Sequence, residues 1–333
     1  MTDMTTGENK VGSFKAFALG FVMLAGVDMW GGSVLAVEPT KPIRIVVPFA
    51  PGGSIDTIPR LIGERLSPLL GVPVIVENRP GAGGNIGAEL VYRAPPDGST
   101  FLATPMPLLA VNPHLYSSLR FEPLKFEPVT VVTRYPIVLL ARQSLGVSDI
   151  GELLDFARKN PGKLSYASQG DGAVGHVVFE KFQHDAKIQA VHVPYKGNGP
   201  ALSDLMAGHV DLMFSDLIAG MPAIQSGRVK MLAVAGETRL TAYPNVQTIA
   251  ETLPGFVTTS WIGIVAPPKT PEAITERVAT ALKAVLGDPA ITSYLEKLYA
   301  APAGEGRQAM RVELDSASRV WADVVRRANI RLE

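Results

Sequence analysis

Lys41-Pro-Ile-Arg-Ile-Val-Val-Pro-Phe-Ala-Pro-Gly-Gly-Ser-Ile-Asp56 is the stretch on which the reading of the fold turns. Ile43–Val47 is a short apolar run rich in β-branched residues, the mark of a buried strand. Pro48 and the Gly52-Gly53 pair stop it. Ser54 is placed to cap a helix in which Ile58, Leu61, Ile62, Leu66 and Leu69 recur at helical spacing, as far as about Leu70. A strand that ends on glycines and opens a helix sets unpaired backbone N–H groups beside the positive end of a helix dipole. Such a junction accepts a carboxylate or phosphate without any Lys or Arg.

Working outward, the pattern repeats. Val74–Glu77 reads as a strand, the turn at 81–84 is glycine-rich, a helix follows over 85–93, and Thr100–Ala103 is a third strand. This β-α-β-α-β run predicts a parallel sheet with helices on its faces. Residues 104–128 are proline-rich and read as irregular. Val129–Val132 and Ile137–Ala141 read as two strands, after which the alternation resumes. Helices are expected at 148–158, 173–184, 198–207 and 216–225, with strands at 164–167, 190–193, 210–214 and 229–234. Trp261–Ala266 is a further apolar run, and helices at 271–286, 288–299 and 305–327 complete the chain. The expectation is two α/β modules joined near 137–142 and again near 256–264, the last third returning to the first module.

The chain has 333 residues, a length that accommodates two domains. Apolar residues at 47% against 19% charged supply ample core. Lys+Arg and Asp+Glu are both 31, so no basic surplus exists to neutralise phosphates, and a dedicated nucleic-acid binder is excluded. There is no cysteine, which removes disulfides, thiolate metal sites and cysteine nucleophiles. At the start, Lys10 and Lys15 precede the apolar run Ala16–Val27, and small residues end at Val34-Leu35-Ala36. That order reads as a secretory signal peptide over 1–36, although Asp28 is irregular for one. The run of 12 is shorter than the ~20 residues a membrane-spanning helix needs.

Several chemistries are missing. No phosphate-loop G-x-x-x-x-G-K-[ST] occurs, and Gly81-Ala-Gly83-Gly-Asn-Ile-Gly87 has Ile86 where a dinucleotide fingerprint needs glycine. No cofactor is expected. His114, His176, His184, His192 and His209 show no metal-ligand spacing, so no metal is expected. Gly52-Gly53-Ser54-Ile55-Asp56 imitates a nucleophile elbow but ends in Asp where the sharp turn needs glycine. A third glycine-rich junction, Ser165-Tyr-Ala-Ser-Gln-Gly-Asp-Gly172, runs on to His176. Tight turns alone would use such glycines, but the first and third junctions fall in different modules, which points to a cleft between them.

The 41–56 stretch and Val76-Glu-Asn-Arg-Pro-Gly-Ala-Gly-Gly-Asn-Ile-Gly87 resemble the Bug family, extracytoplasmic solute receptors of tripartite tricarboxylate transporters. The likeness continues through Val111-Asn-Pro-His-Leu-Tyr116, Tyr166–Gly172 with His176, Val193-Pro-Tyr-Lys-Gly197, Leu232-Ala-Val234, Tyr243-Pro-Asn-Val246, Thr248-Ile-Ala-Glu251 and Trp261-Ile-Gly263. Gln247 departs from the proline usual there. The resemblance implies an α/β, two-lobed periplasmic binding-protein fold (type II). Each lobe would be a mixed sheet flanked by helices, with two crossover strands. The lobes would be residues 37–140 plus 260–333 and residues 141–259. It implies a monomeric, non-enzymatic periplasmic receptor that closes on a small mono- or dicarboxylate and delivers it to a membrane permease. The ligand-binding residues carried over are Phe49, Ala50, Gly53, Ser54 and Asp56, the last through water, because two bare carboxylates repel. The other lobe would add Ser168, Gly170 and His176. Thr104, Tyr195 and Asp216 are further candidates because they follow strand ends, and Asp216 would serve equally as a helix cap. A ligand sensor for a membrane kinase is the alternative. A secreted hydrolase using Ser54 or Ser168 with a histidine is a remote one.

Overall fold

The computed structural model describes residues 41–327 and 331. The signal peptide read over 1–36 lies outside the described residues. Within them, no helix is long and apolar enough to cross a membrane.

The chain opens with β1 (Ile43–Val47), α1 (Ser54–Leu70), β2 (Val74–Asn78), α2 (Asn85–Tyr92) and β3 (Thr100–Pro105). Two short helices, α3 (Met106–Ala110) and α4 (Asn112–Leu115), occupy the stretch expected to be irregular. A long strand, β4 (Glu127–Arg142), leads to α5 (Ile150–Lys159), β5 (Leu164–Ser168), α6 (Val174–Ala186), β6 (Ala190–Pro194) and α7 (Asn198–Ala207). Then come β7 (Leu212–Asp216), α8 (Leu217–Gln225), β8 (Val229–Val234) and β9 (Thr259–Ala266). The C-terminal part holds α9 (Glu272–Leu286), α10 (Pro289–Lys297), β10 (Ala301–Pro302) and α11 (Arg307–Arg327).

The strands form one curled sheet in the order β2-β1-β3-β9-β4-β7-β5-β6, with β8 and β10 also paired to β4. β1 is parallel to β2 and β3, and β5 is parallel to β6 and β7, as the alternation predicts. β4 divides the sheet. Up to Pro136 it runs antiparallel to β9, and from Ile137 it pairs with β7 and β8 instead. The two strands expected on either side of Pro136 are therefore one. A proline lacks the ladder N–H and is tolerated where a strand bulges or changes partner. Here it sits at the change, and the β4–β9 register also shifts near Pro128. The second crossing lies beside the first: Ala235 N–H donates to the Ile137 carbonyl at 2.8 Å, and Thr258 N–H donates to the Ala235 carbonyl at 2.7 Å. These are the two lobes and two crossovers of the expected fold.

Helices cover both faces of each half-sheet, so strands carry near-continuous apolar sequence. Alternate residues of β4 serve opposite cores. Val138 and Leu140 join Leu202, Leu205, Leu217 and Met221. Leu139 and Ala141 join the core that holds Phe179, Phe182, Phe214 and Phe256. In the first lobe α1 buries Ile58, Ile62 and Leu66 completely or nearly so. Each such side chain contributes roughly 1.5–3 kcal/mol. That packing holds the N-terminus of α1 at the carboxyl end of β1.

Candidate functional site

Gly53, not Ser54, is the N-cap of α1, and no side chain caps it. The expectation for Ser54 is corrected: Ser54 is the first helical residue. Gly53 has φ −88°, an ordinary extended conformation, whereas Gly52 carries the left-handed turn at φ 97°. The Asp56 and Thr57 N–H groups fold back to the Gly53 carbonyl at 3.0 and 2.9 Å. Among the described residues, the Ser54 and Ile55 N–H groups have no such backbone partner. Four N–H groups at a helix start lack helical acceptors, so these two face outward as donors backed by the helix dipole.

Asp56 is turned away from the cleft. It accepts from Gly52 N–H at 3.1 Å, Arg60 Nε at 3.0 Å and Asn78 Nδ2 at 2.9 Å. Burial pushes its carboxyl up, but the Arg60, Asn78 and Gly52 donors outweigh this and hold it below its ordinary range. Asn78 also donates to the Phe49 carbonyl at 3.0 Å, so Asp56 and Asn78 together brace the β1–α1 loop.

Across the cleft the second lobe presents a relay of neutral amides ending on a carboxylate. Gln169 accepts from Gly175 N–H at 2.9 Å and donates to Asn198 Oδ1 at 2.8 Å. Asn198 Nδ2 donates to Asp216 at 3.0 Å, and Asp216 caps α8 by accepting from Ala219 N–H at 2.8 Å. Asp216 is buried, and burial raises its carboxyl above the ordinary value, partly offset by Ala219 N–H and the hydroxyl of Ser54.

Two connected spaces lie between these walls. The inner one, about 40 Å³, is lined by Gly53, Ser54, Ile55, Pro105, Tyr135, Ala173, Val174, Asn198 and Asp216 among others. The outer one, about 430 Å³, is lined from the first lobe by Pro80–Gly84 and from the second by Gln169–Asp171 and Pro194–Lys196. Phe49 and Ala50 line both. Of the sequence candidates, Phe49, Ala50, Gly53, Ser54, Gly170, Tyr195 and Asp216 thus meet around one cleft. Asp56, Thr104, Ser168 and His176 line neither space. Thr104 is fully buried in β3 and donates to the Pro105 carbonyl. Gln169, Asn198, Asp171, Lys196, Tyr135 and Gly81–Gly84 were not among the candidates. Gln169 and Asp171 stand within the third junction and Gly81–Gly84 form the second, so their signal was present. Nothing in the local sequence marks Tyr135, which reaches the cleft because β4 crosses between lobes.

Ser168 and His176 support the third junction from behind. Ser168 Oγ and His192 Nε2 share a hydrogen bond of 2.6 Å, and Ser168 Oγ also contacts Gly170 N–H at 3.2 Å. His176 Nδ1 accepts from Gly172 N–H at 3.0 Å, and its ring stacks on His192 at 4.1 Å between centroids. Burial brings both imidazoles down to about 4. With Asp171 Oδ1 3.7 Å from His192 Nδ1, the Ser168–His192–Asp171 set imitates a catalytic triad. Ser168 is fully buried, however, so a substrate carbonyl has no approach to it. Asp171, His176 and His192 also lie close enough to suggest a metal trio. The parallel rings, 4° apart, hold their lone pairs in separate parallel planes that do not meet at one point, and His176 Nδ1 is already taken by Gly172 N–H.

The lobes touch at the outer rim. Tyr116 Oη donates to the Asp171 carbonyl at 3.0 Å. A Cβ at Gly83 would lie 2.1 Å from that same carbonyl oxygen, and one at Gly172 would lie 2.7 Å from Asn112 Oδ1. Only glycine permits this approach.

A fold of this kind with an anion-adapted cleft defines a solute-binding protein. Residues 58–330 match the model of the tripartite tricarboxylate transporter family receptor, and the chain belongs to that family. Three solved structures are similar along almost their whole length. One is "R. palustris Rpa4515 with adipate" (TM-score 0.84, 35% identity, covering 88% of this chain and 99% of that one). Another is the periplasmic binding protein BugD (0.84, 33%, 89% and 100%). The third is MatC from Rhodopseudomonas palustris with bound malate (0.82, 32%, 86% and 99%). The resemblance to the Bug family stands, and this chain is a solute-binding receptor and not an enzyme. The hydrolase alternative falls with it.

Proposed function

We propose that the chain is a monomeric periplasmic receptor that closes on a small organic acid bearing one or two carboxylates and presents it to the permease of a tripartite tricarboxylate transporter. The moving bodies are residues 37–140 with 260–333, and residues 141–259. The observation that carries this reading is the start of α1. Its Ser54 and Ile55 N–H groups line a space whose far wall is an amide relay, with no cation beside them. Helix-dipole donors favour an anion there, and a carboxylate head fits the small inner space. Asn198 Nδ2 spends one hydrogen on Asp216 and keeps the other as a donor from the second lobe, so a ligand held by both walls stabilises the closed state and shifts the population toward it. The adipate and malate named for two structural neighbours support an acid as the ligand.

A thermal-shift screen of mono- and dicarboxylates on the mature chain tests this. An acid at 100 times its dissociation constant stabilises the protein by about 2.7 kcal/mol. Stabilisation only by neutral sugars or cationic amines would overturn the reading.

A further inference from the structure

We infer that Lys196 selects ligands carrying a second acidic group, held in the outer chamber while the first carboxylate sits at the start of α1. The inference rests on the cleft reading above and assigns the far end of the ligand. The two spaces set the geometry. At about 40 Å³ against about 430 Å³, the inner space is the narrow end of the cleft, with room for a carboxylate head but not for the body of a longer acid. The body of any larger acid must extend into the outer chamber of about 430 Å³. Most of that chamber is apolar or glycine backbone, from Phe49, Ala50, Pro80 and Gly81–Gly84 on one side and Pro194 and Tyr195 on the other.

Its lining contains two charged residues, Asp171 and Lys196. The Asp171 carboxylate stands 3.7 Å from the His192 ring, and its backbone carbonyl is taken by Tyr116. Lys196 follows β6 in the turn before α7 and is exposed. Among the described residues no carboxylate lies within ion-pair distance of it. A flexible four-carbon stem lets its ammonium follow groups at different positions, which suits acids of several chain lengths. Without Lys196 the chamber keeps only the negative Asp171, and a second carboxylate would then be repelled. The same two residues thus set opposite preferences: Lys196 for a dianionic ligand, Asp171 against it.

The test compares the mature wild type with K196Q and D171N by calorimetric titration. The probes are succinate, glutarate and adipate, each against its own monoamide, which has the same length but one charge fewer. Wild type should bind the best dicarboxylate at least tenfold more tightly than its monoamide. K196Q should bring that ratio to within twofold of unity or invert it, and D171N should raise it. Added salt should reduce the wild-type ratio. A K196Q ratio equal to wild type, or a wild-type ratio near one, would overturn the assignment of Lys196 while leaving the acid receptor intact. Failure of the wild type to bind any member of either series, while the screen finds an acid of another kind, would overturn this inference and leave the acid-receptor reading standing.

Discussion

Gly53 faces Asn198 of the second lobe at the inner end of the cleft. A Cβ there would lie 3.5 Å from Asn198 Nδ2, an ordinary contact, and φ is already that of any L-residue. Backbone strain is therefore not what constrains the position; space for a closing lobe and for a carboxylate is. Gly53→Ala should keep binding, whereas the branched Gly53→Val should abolish it, both read by titration with the acid found in the screen. Tight binding by a folded Gly53→Val variant would place the carboxylate elsewhere. Ser54→Ala has a different consequence than a lost cap. Gly53 occupies the N-cap, so the hydroxyl serves not the helix but the buried Asp216 carboxyl across the cleft, and its loss should lower the melting temperature modestly. Affinity should fall on the order of tenfold, ~1.4 kcal/mol. A clear drop in melting temperature with unchanged affinity would return Ser54 to a purely structural role.

At the scale of elements, the third junction depends on two imidazoles packed between β5, β6 and α6. His176 faces the Gly172 N–H, the His192 ring and Glu180, and His192 faces Ser168, Tyr166, Asp171 and Glu180. Tyr166 Oη donates to Glu180 at 2.5 Å, which ties that carboxylate down. Both histidines stay neutral to about pH 4 in the fold, against an ordinary value of 6.5. Between those limits the unfolded chain binds more protons than the folded one, so stability rises with pH. Their contribution is whole above pH 6.5 and is lost as pH falls toward 4. The urea midpoint should drop steadily from pH 7 to pH 5. His176→Gln keeps an acceptor for Gly172 N–H but does not titrate, so its midpoint should depend less on pH over that range. Identical slopes for the two proteins would show that His176 is not a source of this dependence.

For the whole molecule, closure is read at the rim. Tyr116 loses its bond to the Asp171 carbonyl if the lobes separate, and Gly83 allows the approach. Small-angle scattering should show Gly83→Val with a larger radius of gyration than wild type at saturating acid, because its side chain overlaps the Asp171 carbonyl. An equal radius would mean that the rim contact does not limit closure. Export is a second molecular property. The basic, apolar and small-residue order from Lys10 to Ala36 predicts a mature chain that begins near Val37. N-terminal sequencing of the native protein checks this, and an intact Met1 in the cytoplasm would contradict it.

Local patterning determined most of the strands and helices, because β-branched runs ending on Pro or Gly and 3.6-residue apolar spacing are written into neighbouring residues, but it missed the short α3 and α4 in the proline-rich stretch. It also marked all three glycine-rich junctions, whose chemistry is that of backbone at the start of a helix. Tertiary structure decided what those junctions face. Asp56, Ser168 and His176 sit in the right motifs, yet their polar atoms are spent on Arg60 and Asn78, His192, and Gly172 behind the loops. Asn198 and Tyr135 line the cleft because α7 and the crossing strand β4 bring them there from sequence positions far from Ser54. The unity of β4 was hidden by Pro136, which looks like a break until two different partners are seen on its two sides. A cleft between lobes is built from contacts between distant residues. Sequence periodicity reports the neighbours along the chain and not those across the gap.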